Sequence, residues 1–382
     1  MGQIVVALSF FLTFLASPQA LGAKAPIVGG EMNFATLINQ HAQGTPAQSP
    51  WVGYWWPFAE GGLASTIHAG GGLSPIEKYD VAYRASQNAG GRNTTETESA
   101  AEWERRQHGP HVSGLQSWHG HASGSAAASI LFAEPRTPVS LFGITFGVSD
   151  LKALLAEAAQ STRGVTFGHT VDAAQDQSSP RFNDVAPNQF FLALTNEMGR
   201  LRRGIVMDRH AGHETWNVPI AGYAIEYPTA SDDLGADLRY RNMYRVAVRA
   251  RVWWASNNVA PDESAPPFDI GQLRDVFDHR FYPGRRYSMV LWLDGPLVFD
   301  VSGKLVSSGN VVQLTYGKSV DGGYWTPDTA AGELIHSHPD TMFIPTALGT
   351  PASGSPGQHR NPRLSGSWVS ENLAKPAARA GH

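Results

Sequence analysis

The chain has 382 residues, of which 42% are hydrophobic, and it contains 11 Trp, 40 Gly and 25 Pro. It can bury a sizeable core, and the composition excludes wholesale disorder, collagen and a long coiled coil, while the glycines and prolines imply many turns. Lys and Arg number 29 against 33 Asp and Glu, a formal net charge of -4, with no long basic run, so nucleic-acid binding is disfavoured. The absence of cysteine removes thiolate nucleophiles, Cys-based zinc sites, iron–sulfur clusters and disulfides together.

Residues 4–15 form an apolar run too short for the roughly 20 residues that cross a bilayer, and small residues follow it. Residues 1–23 therefore read as a signal peptide, with Ala20-Leu21-Gly22 as an acceptable cleavage pattern. The expected location is secreted or periplasmic, with no membrane attachment once the signal is removed. Residues 24–50 read as a linker, and folded structure is expected from Trp51, where Trp51, Trp55, Trp56 and Phe58 supply large rings for core anchoring. The polar stretch at 85–98 reads as a surface loop and holds the sequon Asn93-Thr94-Thr95.

Residues 118–131 pass from a glycine-bearing loop into an alanine-rich helix that Pro135 limits. Such a helix start presents free N–H groups and a partial positive charge, the setting that best stabilises a thiolate or an oxyanion. A short β run follows at 141–146. Leu151, Leu154, Leu155 and Ala158 then form a helical stripe over 150–160, with Ser149 as the expected N-cap. Val246, Val248, Ala250, Val252 and Trp254 alternate with Arg245, Arg249 and Arg251, the period of a strand with one buried and one wet face. Further strands are expected at 287–293, 297–301 and 311–316, so the C-terminal half is β-rich. Residues 373–382 read as a tail.

With a Cys at Ala122 and a Trp at Ser125, residues 118–125 would resemble the Trp-x-Gly-x-Cys-x-x-Trp stretch of the transglutaminase elicitor family. These are secreted acyltransferases best known from oomycete plant pathogens and also found in bacteria. Trp103-Glu104 with His108-Gly109-Pro110, Trp216-Asn217-Val218-Pro219, Ser308-Gly309-Asn310, His338-Pro339-Asp340 and Asn361-Pro362 are also similar to it, and the resemblance runs from about 51 to 369. It implies an α+β fold over 51–372: a papain-like transglutaminase core at 51–230 and a β-rich half at 231–372.

The resemblance also implies a chemistry in which Cys attacks a glutamine side-chain amide, His moves the proton, and Asp or Asn orients the His. This chain departs from it twice. Ala122 occupies the nucleophile position, and Phe191 stands where the family's His is placed. Asp208 or Asn217 is the remaining orienting partner, and Trp118, His121, Ser123 and Ser125 are the expected binding residues. Losing a nucleophile or base costs on the order of 10⁴ to 10⁶ in rate. The expectation is a catalytically inactive relative that retains binding of a glutamine-bearing protein or peptide, without cofactor or metal. The alternative is an active acyltransferase or serine hydrolase with an altered centre around Ser123 or Ser125, although Gly120 to Gly124 does not make the Gly-x-Ser-x-Gly elbow.

His108, His111, His119 and His121 cluster in sequence, but with no i, i+4 His pair and no recognisable carboxylate partner they read as turn and surface residues. His336-Ser337-His338-Pro339 looks like part of a zinc-isopeptidase motif, yet Thr346 and Gly349 stand where its further ligands belong. The pairs Glu96/Glu98 and Asp232/Asp233 lie in polar stretches and read as solvated.

Overall fold

The structure, a computed structural model, describes residues 28–68, 72–91, 98–168, 184–209, 214–240, 242–316, 319–326, 338–349 and 360–379. The signal-peptide reading, the Asn93 sequon, Glu96, His336 and Ser337 fall outside these residues. None of the described helices is long and apolar enough to cross a membrane.

Six helices build the frame: α1 Phe34–His41, α2 Pro75–Ala89, α3 Ala100–Gln107, α4 Ala122–Leu131, α5 Val148–Ala159 and α6 Pro187–Leu192. Local chemistry sets their starts. Asn33 accepts the Thr36 amide at 3.0 Å ahead of α1, and Ser74 with Glu77 and Ser99 with Glu102 form capping boxes ahead of α2 and α3. The cap of α5 is Gly147 rather than Ser149, because Asp150 at the third helical position takes the Gly147 amide at 2.7 Å. The β run expected at 141–146 is a hairpin of Val139–Leu141 and Ile144–Phe146, turned by Phe142 and Gly143 at φ 50° and 76°.

Among the described residues one sheet has nine strands: β1 Gln43–Gly44, β2 Thr162–Gly168, β3 Val206–Asp208, β4 Asn217–Ile225, β5 Asp233–Ala236, β6 Tyr244–Trp254, β7 Gly284–Leu293, β8 Gly323–Thr326 and β9 Thr341–Leu348. Its order is β8-β7-β6-β4-β3-β9-β2, with β1 on β4 and β5 on β6, all antiparallel. The arginines of β6 lie on its wetter face, where Arg249 pairs with Glu226 and Asp232 at 2.8 Å each and Arg251 with Glu226 at 3.0 Å. The fold is thus α+β with its large antiparallel sheet in the C-terminal half.

One face of the sheet is apolar. Phe167, Met342, Met207 and Val218 oppose one another across β2, β9, β3 and β4, and they share a core with Phe34, Phe190 and Phe191. A second core joins α2, α5 and the C-terminal residues through Tyr79, Leu151, Leu154, Trp368 and Leu373. A third surrounds Trp253 with Val52, Leu273 and Tyr282.

Two segments differ from expectation for the same reason. Residues 28–50 are not a free linker: Phe34 and Leu37 are 0% exposed, and β1 pairs with β4. The expected tail is helical at Lys375–Arg379, with Leu373, Ala374 and Ala377 buried in the second core. Short apolar helices flanked by Gly and Pro are docked by tertiary contacts that local pattern does not register. The 85–98 stretch begins as the end of α2, and Glu98 there pairs with Arg106 at 2.8 Å.

Candidate functional site

The start of α4 is held from three sides. The His121 amide donates to Trp55 O at 2.6 Å, and Gly120 bridges to Pro57. Gly124 is the point where α4 meets α5: a Cβ there would stand 2.1 Å from Ala156 O, so only glycine permits the approach. The Gly124 amide, one of the first-turn donors a helix cannot satisfy itself, donates to Gln160 Oε1 at 3.0 Å.

A cleft of about 340 Å³ lies between α4, the end of α5 and the second face of the sheet. Ser123 and Ala127 line it from α4, Ala159 and Gln160 from α5, and Thr166, Gly168, Thr341, Phe343, Val206 and Asn217 from the strands. These strand residues alternate with the core-facing Phe167, Met342, Met207 and Val218, as the period of two requires. Asn217 Nδ2 donates to Ser123 Oγ at 2.7 Å across the cleft floor. Among the described residues, none of those lining the cleft, completed by Thr162, has a carboxylate, imidazole, amine or thiol.

Ala122 is 7% exposed and does not line this cleft. Ser125 and Ala126 share its helix face at the i+3 and i+4 positions, and Ser125 is 4% exposed with its Oγ against Gly53. Ser125 is thus a packing residue rather than a cleft contact. Trp118 is half-buried and meets His119 edge-on at 4.3 Å, also away from the cleft lining. Asp208 opposes Asn217 across the β3–β4 ladder, is fully buried, and accepts the Trp216 amide at 2.9 Å. Of the two orienting candidates, Asn217 touches α4 through its bond to Ser123.

Phe191 stands elsewhere. It is 1% exposed, stacks on Phe34 at 5.5 Å and packs in the core with Met207 and Val218, on the sheet face turned away from α4. The sequence placement of a base at this residue is therefore corrected: its side chain does not line the cleft, because α6 covers the apolar face.

His121 is also not a cleft residue. Its ring is wholly buried, with Nε2 3.3 Å from Glu104 Oε1 and Nδ1 3.0 Å from Glu157 Oε2. His108 Nδ1 approaches the same Glu104 oxygen at 2.9 Å, and its ring stacks on Phe58 at 3.8 Å. The surface reading of these two histidines is thus corrected. So is the absence of a metal-type donor set, since Glu104, His108 and His121 bring three ligand atoms together. Burial opposes charge on the His121 ring, but the hydrogen bonds and negative charge of Glu104 and Glu157 raise its pKa to about 9. Burial also opposes charge on Glu104, yet the bonds from His108 and His121 hold its carboxyl well below the usual range.

His338, the described part of the isopeptidase-like stretch, bonds Asp184 at 2.6 Å beneath the Trp325 ring, and Thr346 spends its hydroxyl on Arg163 O at 3.1 Å. Asp232 caps a short helical turn at Thr229 and pairs with Arg249, so it is a structural rather than a solvated carboxylate.

Sequence reasoning missed Gln160, Glu104, Glu157 and the indole pair Trp55–Trp216, whose centroids lie 6.3 Å apart beside the start of α4. Trp216 stood in a family-like stretch, which was a usable signal. Glu157 carried none, being one acidic residue in an amphipathic helix. The Arg209 guanidinium lies 5.3 Å from the Trp216 ring, and burial lowers its pKa.

No curated protein matches this chain. Among solved structures it is similar to the crystal structure of the GP42 transglutaminase from Phytophthora sojae, at 22% sequence identity and a TM-score of 0.57, covering 91% of this chain and 94% of that one. The shared fold agrees with the resemblance read from residues 118–125, and residues 86–247, which include α4 and the β3–β4 ladder, match the model of the transglutaminase elicitor family.

Proposed function

We propose that the protein is a secreted, transglutaminase-like chain that has lost acyl transfer and keeps the cleft between α4 and the sheet to bind a glutamine-bearing segment of a protein or peptide. The observation that carries this reading is the cleft lining among the described residues: hydroxyls and carboxamides of Ser123, Thr162, Thr166, Thr341, Gln160 and Asn217, and no described lining side chain that takes up a proton near neutral pH. Acyl transfer needs a nucleophile, a base and an oriented base. Ala122 contributes a methyl group, and the chain has no cysteine to serve as the nucleophile. Carboxamides and hydroxyls remain suited to hydrogen-bond a primary amide and a peptide backbone.

A serine-centred hydrolase or acyltransferase is the second reading, favoured by the position of Ser123 on the cleft. Its neighbour there is Asn217, an amide that donates to the hydroxyl and cannot accept its proton.

Incubating the purified protein with a glutamine-donor peptide and a labelled primary amine tests both readings. The expected result is no labelled product and saturable binding of the peptide, weakened by Asn217→Ala. Turnover that Ser123→Ala abolishes, or covalent capture of Ser123 by a hydrolase probe, overturns the inactive reading in favour of the second.

A further inference from the structure

Glu104, His108 and His121 take no part in the cleft. Glu104 lies in the last turn of α3, His108 caps that helix, and His121 precedes the first residue of α4. All three are at most 1% exposed. Their donor atoms converge: His108 Nδ1 lies 2.9 Å and His121 Nε2 3.3 Å from Glu104 Oε1, and the three atoms lie within 4.8 Å of one another.

We propose that these side chains hold a divalent transition-metal ion of the zinc type that ties α3 to the start of α4. Two imidazole nitrogens and one carboxylate oxygen are a donor set that zinc accepts, at about 2.0–2.2 Å from the ion and hence about 3.4 Å from each other in a tetrahedral arrangement. The His121–Glu104 separation of 3.3 Å is close to that, and the His108–Glu104 separation of 2.9 Å is shorter. Hydrogen bonding alone accounts poorly for the crowding, because Glu104 Oε1 also accepts the Leu63 amide at 3.0 Å. Three donors then face one oxygen that has about two lone-pair sites. An ion between the ring nitrogens and the oxygen relieves this.

The surroundings fit an outer shell. Glu157 Oε2 meets the other nitrogen of His121 at 3.0 Å, and Asn361 Nδ2 holds the second oxygen of Glu104 at 3.3 Å. A carboxylate behind a ligating histidine fixes its tautomer and raises its basicity. Gly62 supplies space: a Cβ there would stand 2.5 Å from Glu104 Oε1, 3.0 Å from His108 Nδ1 and 3.3 Å from His121 Nε2. The burial of every ligand makes the ion structural, acquired on folding rather than exchanged with substrate.

Elemental analysis of the purified full-length chain, followed by chelation and reloading with zinc or cobalt, tests this. The expected results are about one zinc per chain, a fall in melting temperature on removal that zinc restores, and visible d–d absorption after cobalt loading. His108→Ala is expected to lose the metal. Glu157→Gln is expected to keep it with about 10- to 100-fold weaker affinity. A wild-type chain isolated without metal, showing neither a melting shift with zinc nor an absorption band with cobalt, overturns the proposal and leaves an imidazolium bridged by two carboxylates. That decision needs only the wild-type protein if a variant does not fold.

Discussion

The Asn217 side-chain amide donates to the Ser123 hydroxyl at 2.7 Å and so joins the first residue of β4 to the first turn of α4. Both residues are half-buried on the cleft. A bond of this kind contributes about 1 kcal/mol net. Asn217→Ala and Ser123→Ala are each expected to lower unfolding free energy by about that amount, and the double variant by less than the sum of the two. Urea denaturation of the four proteins measures the coupling, and strict additivity would show that the two side chains do not interact.

Restoring the family's nucleophile separates the two positions that sequence reasoning paired. Ala122→Cys places a thiol at the start of α4, where the helix N-terminus favours the thiolate. Because position 122 is 7% exposed and lies off the cleft, its alkylation by iodoacetamide is expected to fall below that of a denatured control at the same pH. Adding Phe191→His is expected to restore no transferase activity and to destabilise the protein by about 2 kcal/mol or more, because an imidazole replaces a ring stacked on Phe34 in an apolar core. Gain of turnover in the double variant would overturn the placement of Phe191 away from the cleft.

Phe34 tests whether the N-terminal segment belongs to the fold. Its ring is 0% exposed and packs in the first core. Phe34→Ala is expected to cost about 3–5 kcal/mol, read as a lowered melting temperature. A change of less than 1 kcal/mol, on the order of a surface substitution, would return residues 28–50 to the status of a linker.

Glu226 gives a pH dependence with a definite sign. Burial pushes its pKa up, but the hydrogen bond from Arg249 and the charges of Arg251, Arg249 and Arg286 bring it below its ordinary value. A carboxylate lowered in the folded state binds fewer protons there than in the unfolded chain, so it stabilises above the unfolded pKa of about 4.3 and loses that contribution as pH falls through the folded one. Glu226→Gln is expected to flatten the fall in stability below about pH 4.3 and to cost under about 1 kcal/mol at neutral pH, since the pair is partly exposed. Melting curves across this range for both proteins measure it.

Much of the frame was legible from residue order. Alternation along β6 placed its arginines on one face, and the alanine-rich run after Gly120 announced α4 with Ala122 in its first turn. Hairpins and short docked helices were not legible, because the residues that stabilise them come from elsewhere in the chain, as Ser308 and Asn310 do for α1.

By itself the sequence determined that no thiol chemistry is available, that residues 118–131 pass from a loop into a helix, and which family stretch they resemble, since each depends on residue type and local spacing alone. Tertiary structure decided which groups meet. Strand register turned Phe191's core away from α4 and Asn217 toward it, and helix packing at Gly124 brought Glu157 to His121. Such contacts follow from how layers stack and which face each strand presents, quantities that depend on partners remote in the chain.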